Sequence, residues 1–594
     1  MEFNEQQLKA INTIDGSVQV IASAGSGKTS TLVERIANMV NNGIPQSEIL
    51  TISFTNASAK ELEEKLKVKG INEVTSGTFH SVCKQIIEEN TYKDIANNFP
   101  NKYKYKRTVE TITGEKNINL NDILAWISYQ YSYNLNSASD KFEEKESVYD
   151  ETQLRTFFSI YEDFKNDTDT YDFDDWLTIT HDLYKKNKNI RKWSYVLIDE
   201  NQDSNLIQHL LINDFCSTDN IFVVGDYNQC IYCWNGATPE LFKDFDKTHK
   251  GTKVINLNTN YRSCANIVEA ANNFIEPYNE GYTNYKNSIP NNKENGIIEC
   301  KKYADKTDEA LNIVKKIKEL IKNGTNPNDI AVIYRNNCTS DYVENELKKN
   351  EIPYTIYNNG SFFDRKEIKG ILSILRLVNS TTDDEAMEIL LTETRFYPFT
   401  YFKGTLADEL KMESGKKNIT IYEAFMDHAW EKSWQRKNAD AFVDFINRLK
   451  IQNEKHLSIG KMIDNIVKMF RIEEWIFNNT EASSIDDKLD GIENLKAISS
   501  NYSVENFVKF CTSGININKN KDKDGVSLMT IHKSKGLEFK VVFLIGLEDG
   551  KFPSSKSSVE SEARLMYVAV TRPKEQLYVS SIDSSLFYEE YSKK

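Results

Sequence analysis

Proline and glycine are scarce in this sequence, with 10 and 24 among 594 residues, which argues against long disordered linkers. Long apolar runs are missing too. The longest, such as VVFLIG from Val541, are strand-sized and well short of the ~18 residues that span a bilayer, so no membrane association is expected. The opening MEFNEQQLKA has acids and amides where a secretion signal needs basic residues and then an apolar core, so a cytosolic protein is expected. The eight cysteines are scattered, and Cys230 and Cys233 alone form a C-x-x-C pair. Without a second pair of matching spacing this is no zinc or iron–sulfur signature, and reduced thiols in a core or loop are expected. Net positive charge is also lacking. A formal charge of −14 speaks against broad electrostatic wrapping of a duplex, but it leaves open a narrow channel that holds a single strand by stacking.

What is present is length and alternation. A chain of 594 residues implies ~3 to 5 domains or subdomains with large buried cores. Short β-branched runs (VQVIAS at 18, ILTISFT at 49, YVLIDE at 195, IFVVGD at 221, IAVIYR at 330, VVFLIG at 541) are each followed by polar loops and longer helical patterns. Continuous apolar strands between helices predict parallel sheets covered on both faces, an α/β class. Two stretches, from about Val82 to Lys192 and from about Asn379 to Ser513, read mainly as helix. No short internal repeat is seen, and the charge-rich SDKFEEKES at 139 and NINKNKDKDG at 516 read as solvated loops.

Residues Ala22, Ser23, Ala24, Gly25, Ser26, Gly27, Lys28 and Thr29 fit small-x-x-x-x-Gly-Lys-Thr between an apolar strand and the helical TLVERIANMV. In that setting backbone N–H groups and the helix N-terminus face phosphates, Lys28 reaches the terminal ones, and Thr29 would ligate Mg2+. A second strand ends in Asp199 and Glu200. Asp199 is where a magnesium-holding carboxylate belongs, and Glu200 is placed to orient and deprotonate a water, which points to hydrolysis of a nucleotide such as ATP.

Nine ordered blocks then span nearly the whole chain: FNEQQ at 3, ASAGSGKT at 22, SFTNASAKEL at 53, GTFHS at 77, DENQDSNLIQ at 199, VGDYNQCIYCWNGA at 224, LNTNYRSCANIVEAAN at 257, MTIHKSKGLEF at 529 and YVAVTR at 567. Through them the sequence resembles the UvrD/Rep/PcrA-like superfamily 1A DNA helicases. The resemblance implies that Gln7 reads the adenine edge, Tyr261 packs on the base and Glu538 contacts the ribose. It implies that Gln229 links the γ-phosphate to the DNA site, and that Arg262 and Arg572 reach the γ-phosphate from the second motor domain. For single-stranded DNA it implies contacts from Phe54, His80, Tyr232 and Trp234, with Thr55, Asn56, Thr78 and His532 near the backbone. Taken alone, Tyr232 and Trp234 would more often be core aromatics, and their alternation in IYCW leaves open which face each occupies.

The implied layout is two RecA-like motor domains, residues 1–84 with 193–260 and residues 261–378 with 514–594, and two helical inserts, residues 85–192 and 379–513. The implied activity is ATP-dependent 3′→5′ translocation on single-stranded DNA with unwinding at ss/ds junctions. Three departures stand out: Asn235 where relatives carry Arg, Ser30 where they often carry Arg, and TETRFYPF at 392 in place of their duplex-gripping turn. With inserts that look shorter and about twenty residues after Arg572, no C-terminal nuclease or partner-binding tail is expected. These features motivate a second reading, an ATPase motor or DNA-sensing subunit with a nuclease, repair or defence partner, as in Gabija-type antiviral systems. Abundant Lys, Asn and Ile suits a bacterial or phage genome.

Overall fold

The computed structural model describes residues 2–187, 189–279, 281–357, 361–500, 502–512 and 525–593. Of the stretch NINKNKDKDG, all but Gly525 lies outside the described residues. The chain divides into two compact units, Met1–Lys302 with Ser534–Lys594, and Tyr303–Lys533.

The first unit is built on a parallel sheet of β1 (Val18–Ala22), β2 (Ile49–Ile52), β3 (Thr75–Gly77), β4 (Tyr195–Ile198), β5 (Ile221–Gly225) and β6 (Lys253–Leu257), in the order β3-β2-β4-β5-β1-β6. Side chains alternate across a strand, so a sheet covered on both faces needs apolar residues at every position. That is how the strands are used. Val18, Val20, Ala22, Phe222 and Val224 enter one core, whereas Ile21, Ile52, Ile198, Ile221 and Val223 enter the core on the opposite face. The register pairs Val20 with Val224 on one side and Ile255 on the other. As a result β5 stands between the strand that leads into the Gly-Lys-Thr loop and the strand that ends in the acidic pair.

Helices α1 (Glu5–Asn12), α2 (Lys28–Asn41), α3 (Asn56–Val68) and α4 (Phe79–Asn90) each begin at or beside a candidate site residue. Arg35 of α2 ties α1 down. Its buried guanidinium donates to the carbonyls of Ala10 at 2.6 Å and Ile14 at 2.9 Å, and it lies 4.3 Å from the centroid of the Phe222 ring. Further along, α5 (Lys102–Thr113), α6 (Leu120–Ser132), α7 (Glu151–Thr168) and α8 (Phe173–Lys186) confirm the helical reading of this stretch. Helices α5 to α7 share a core that includes Tyr105, Trp126, Phe157 and Phe158. The expected loop at 139 is a loop, but Phe142 within it packs edge-on against Trp126 at 5.0 Å. The unit also holds the short pair β7 (Thr259–Asn260) and β8 (Ile289–Pro290), and β9 (Ile297–Lys302).

The second unit carries β10 (Ile330–Tyr334), β11 (Tyr354–Ile356) and β12 (Val526–Thr530), with β12 parallel between the other two. Helices from Lys366 to Thr512 bury a large core rich in Phe, Ile and Leu. In the first unit again, β13 (Phe539–Leu547) and β14 (Pro573–Ser581) continue the parallel pattern, with β14 between β13 and β9. The class is α/β, as the alternation predicts. No helix among the described residues is long and apolar enough to cross a membrane.

Candidate functional site

Strand β1 ends at Ala22, and the chain turns through Ser23 to Gly27 before α2 starts at Lys28. The turn requires left-handed backbone at Gly25 (φ +70°) and Gly27 (φ +80°). Gly25 is also a point of close approach, since a Cβ there would lie 2.8 Å from Arg262 Cβ. The loop is held from two sides. Asn260 donates to the carbonyl of Ala24 at 2.9 Å, and the Tyr261 N–H donates to that of Gly25 at 2.9 Å. Gln7 donates to the carbonyl of Ser26 at 3.1 Å, while its Oε1 accepts the Asn4 N–H in a capping box that fixes the start of α1. The Tyr261 ring is 45% exposed beside this loop, with its hydroxyl accepting from Asn4 at 2.8 Å.

Asp199 and Glu200 follow β4. Lys28 Nζ lies 3.2 Å from Glu200 Oε1, and Gln202 donates to Glu200 Oε2 at 2.5 Å. Burial, then the Glu200 charge, pushes Asp199 up to about 7. Burial opposes the charge of Glu200 as well, but Lys28, then Lys535, and hydrogen bonds from Gln202 and Lys28 outweigh it and bring Glu200 down to about 2. Glu200 is the ionised member of the pair. Its backbone sits in the left-handed region at φ +51°, unusual for a non-glycine residue and a form of strain that clusters at functional sites.

Strand β5 delivers the next groups. Gln202 reaches over its end and accepts the Asp226 N–H at 3.0 Å, an approach that needs Gly225, where a Cβ would lie 2.3 Å from Gln202 Oε1. Gln229 donates to Asp226 Oδ2 at 2.7 Å and accepts from Arg572 at 3.4 Å. Arg572 is buried, donating also to the carbonyls of Val568 at 2.8 Å and Leu537 at 3.2 Å; burial, then Arg262, pulls its guanidinium down to about 9. Arg262 pairs with Glu538 at 2.8 Å and donates to the Thr571 carbonyl at 3.1 Å, and Glu538 also pairs with Lys574 at 2.7 Å. Lys535, assigned no role in the reading of its block, pairs with fully buried Asp203 and donates to the Gln229 carbonyl at 2.7 Å. Burial disfavours its charge, yet Asp203 and Glu200 hold it well above the usual lysine range.

That ammonium also lies 5.3 Å from the centroid of the Tyr232 ring, which stacks on Phe54 at 5.1 Å. Trp234 sits 6.4 Å further on and is 56% exposed, whereas Tyr232 is half-buried, so Trp234 is no core aromatic and Tyr232 lies between core and surface. Thr55 and Thr78 cap α3 and α4, each accepting an N–H one turn on, and Asn56 is the exposed first residue of α3. His80 joins a separate aromatic group with Phe173 at 6.2 Å and Trp176 at 6.5 Å, and burial lowers its pKa. His532 belongs to the second unit, in the short helix Ile531–Ser534. In that unit the TETRFYPF stretch turns Arg395 onto the Phe402 carbonyl at 2.7 Å.

The donor set fits Mg2+ with a nucleotide. Thr29 supplies a hydroxyl in the first turn of α2, and Asp199 is a buried carboxylate whose charge a cation would favour. No cluster of three His, Cys, Asp or Glu side chains among the described residues offers a rival metal site.

A parallel sheet with a glycine loop at one strand end, a lysine at the helix start and an acidic pair on a nearby strand defines a P-loop nucleotide hydrolase. The model of the UvrD/REP helicase N-terminal domain matches residues 3–250, and that of the UvrD-like helicase C-terminal domain matches residues 255–584. Similar proteins include the probable DNA helicase II homolog of Mycoplasma capricolum, 30% identical over an alignment of 620 residues, with 98% of this chain and 84% of the relative covered. The ATP-dependent DNA helicases PcrA of Staphylococcus epidermidis and Staphylococcus aureus are each 27% identical, with 99% of this chain and 84% of the relative covered. The chain belongs to the UvrD-like family of ATP-dependent DNA helicases.

Proposed function

We propose that the protein is a 3′→5′ translocase on single-stranded DNA that hydrolyses Mg2+–ATP and separates strands at single-strand/duplex junctions, working in the cytoplasm of a bacterial or phage-infected cell. The division into two motor domains and two helical inserts is part of this reading. The polarity rests on the family resemblance alone, and the observation that carries the coupling of hydrolysis to a strand is an unbroken path in the first unit. It runs from Lys28 through Glu200, Gln202, Asp226 and Gln229 to Lys535, and from there to the Tyr232 ring. Such a path supports coupling between nucleotide state and strand contact.

In this reading Gln7 and Tyr261 hold the base and Glu538 the ribose; the loop from Ala22 to Gly27 and Lys28 hold the phosphates, and Thr29 with Asp199 hold Mg2+. Bound Mg2+ would neutralise phosphate charge. Glu200 orients the attacking water and takes its proton, a role open to it as a base once phosphate draws Lys28 away. Arg262 and Arg572 stabilise charge on the transferring phosphoryl group, a contribution of ~10³ to 10⁵ in rate. Phe54, Tyr232, Trp234 and His80 stack on bases, with Thr55, Asn56, Thr78 and His532 near the backbone. ATP turnover measured with and without single-stranded DNA, then unwinding of 3′- and 5′-tailed duplexes, tests the reading. Stimulation by DNA and opening of the 3′-tailed substrate are expected, and both are lost in Lys28→Ala with the fold retained. Turnover that persists in Lys28→Ala, or a preference for the 5′ tail, would refute it.

Arg395, turned onto its own loop, favours a second reading in which unwinding by the isolated chain is weak and a nuclease, repair or defence partner supplies the rest. Copurification of such a partner, with poor opening of either substrate by the chain alone, is the outcome that selects it.

A further inference from the structure

Between Gln229 and Trp234 lies the C-x-x-C pair that composition alone marks as ordinary. The two sulfurs are 3.7 Å apart, a separation that a rotamer change can close to a bond. Arg564, buried on helix Val559–Val570, faces them with its whole fork. Its Nε donates to the Cys230 carbonyl at 3.1 Å, Nη1 to the Tyr227 hydroxyl at 3.4 Å and Nη2 to Cys233 Sγ at 3.6 Å. Cys230 is fully buried and Cys233 partly exposed, so Cys233 is the member of the pair that solvent can approach.

We infer that Cys230 and Cys233 form a thiol–disulfide modification site in which Cys233 is the sulfur oxidised by a hydroperoxide and Cys230 the sulfur that resolves it. The Cys233 thiolate attacks one peroxide oxygen. The O–O bond breaks, Cys233 becomes a sulfenic acid, and the departing alkoxide or hydroxide takes a proton from solvent. Cys230 sulfur then displaces the sulfenic hydroxyl, which leaves as water with the Cys230 proton as the S–S bond forms. The two sulfurs together lose two electrons, which the peroxide accepts.

The charge environment agrees with this division of roles. The hydrogen bond from Cys230 and the Arg564 charge, against burial, bring Cys233 down to about 7, whereas burial pushes Cys230 well up. The other partly exposed thiols move the opposite way, with burial pushing Cys300 up to about 11 and Cys511 to about 12. A guanidinium fixed beside an accessible thiol is the environment in which reactive cysteines occur, and in a reducing compartment such a disulfide forms transiently.

The test uses the full chain, reduced, treated with hydrogen peroxide, digested and analysed by mass spectrometry, with and without later dithiothreitol. A Cys230–Cys233 disulfide that forms ahead of oxidation at the other cysteines, and reverses with dithiothreitol, is expected. In Cys230→Ser a dimedone adduct collects on Cys233. Iodoacetamide should label Cys233 at pH 7 on the order of ten times faster than an unperturbed thiol, following the ratio of thiolate fractions. Oxidation or labelling that favours Cys300 or Cys511 would overturn the assignment. A loss of DNA-stimulated ATP turnover on oxidation, restored by dithiothreitol, is expected as its consequence. That arm rests on the proposed function, whereas the mass readout judges the site alone; a disulfide that leaves turnover unchanged removes the regulatory consequence.

Discussion

Replacing Lys535 with methionine keeps most of the stem and removes the ammonium that joins Asp203, the Gln229 carbonyl and the Tyr232 ring. Asp203 has no exposed side-chain surface and Lys535 only 10%, so solvent cannot take over the lost contact. Removing one partner of a buried pair costs ~3–5 kcal/mol. The loss should depend on pH. Burial already raises Asp203 to about 6 with Lys535 present, and without it the carboxyl moves higher. Because the folded pKa lies above the unfolded value of 3.8, the ionised form costs stability that grows as pH rises through about 6. At pH 5 the carboxyl is protonated with or without Lys535, and the deficit of the variant shrinks; at pH 8 it is largest, by ~1.4 kcal/mol for each unit by which the pKa has moved. Urea unfolding followed by tryptophan fluorescence at the two pH values measures this. Lys535→Met with Asp203→Asn should recover most of the stability, since no charge is then stranded, but not DNA stimulation of ATP turnover. Equal stability of Lys535→Met and wild type at pH 8, or full DNA stimulation in the double variant, would refute the reasoning.

Trp234→Ala should leave unfolding unchanged because the ring is 56% exposed; single-strand affinity measured by fluorescence anisotropy should fall by ~1–3 kcal/mol, the worth of one base–aromatic stack. Gly25→Ala places a methyl 2.8 Å from Arg262 Cβ at a φ of +70°, so nucleotide titration and steady-state turnover should both show severe loss, with ~1–2 kcal/mol of backbone strain added to the displacement of Arg262. His209 is buried and its pKa is lowered to about 3 by burial and by His249, with Nε2 finding no hydrogen-bond partner among the described residues. The unfolded chain therefore takes up a proton below 6.5 that the folded one refuses, and stability falls by ~1.4 kcal/mol per pH unit from there toward 3. His209→Gln should show the shallower loss when unfolding is compared between pH 7 and pH 4.

Strands β1, β4 and β5 were legible because both faces of the sheet are buried and nearly every residue is apolar. Strand β3, three residues of TSG, offers no such run, and β14 opens PKEQ with Glu575 exposed, so neither announces itself. The site divides in the same way. The loop through Thr29 and the Asp199–Glu200 pair are local patterns whose spacing carries the chemistry. Lys535, by contrast, acquires its role from Asp203 at a separation of 332 residues, and Asn260 from Ala24 at 236. A short window cannot register such partners, although Lys535 lies inside a recognised block. Cys230 and Cys233 read as ordinary thiols because the guanidinium that distinguishes them arrives from Arg564.

The proposed relay has a chemical reason for an amide at its centre. Gln229 meets a carboxylate at one end, where Nε2 donates to Asp226, and a guanidinium at the other, where Oε1 accepts from Arg572. An amide serves both without adding charge to a fully buried site. A carboxylate there would set a second anion against Asp226, already raised by burial, and an ammonium would oppose Arg572, already pulled down by burial and by Arg262. Either would bias the site by fixed charge before a ligand arrived. Left neutral, Gln229 takes its orientation from the charges around it, and under the proposed function a change in the charge facing Arg572 would reach the Lys535 contact on its own carbonyl and, through Lys535, the Tyr232 ring.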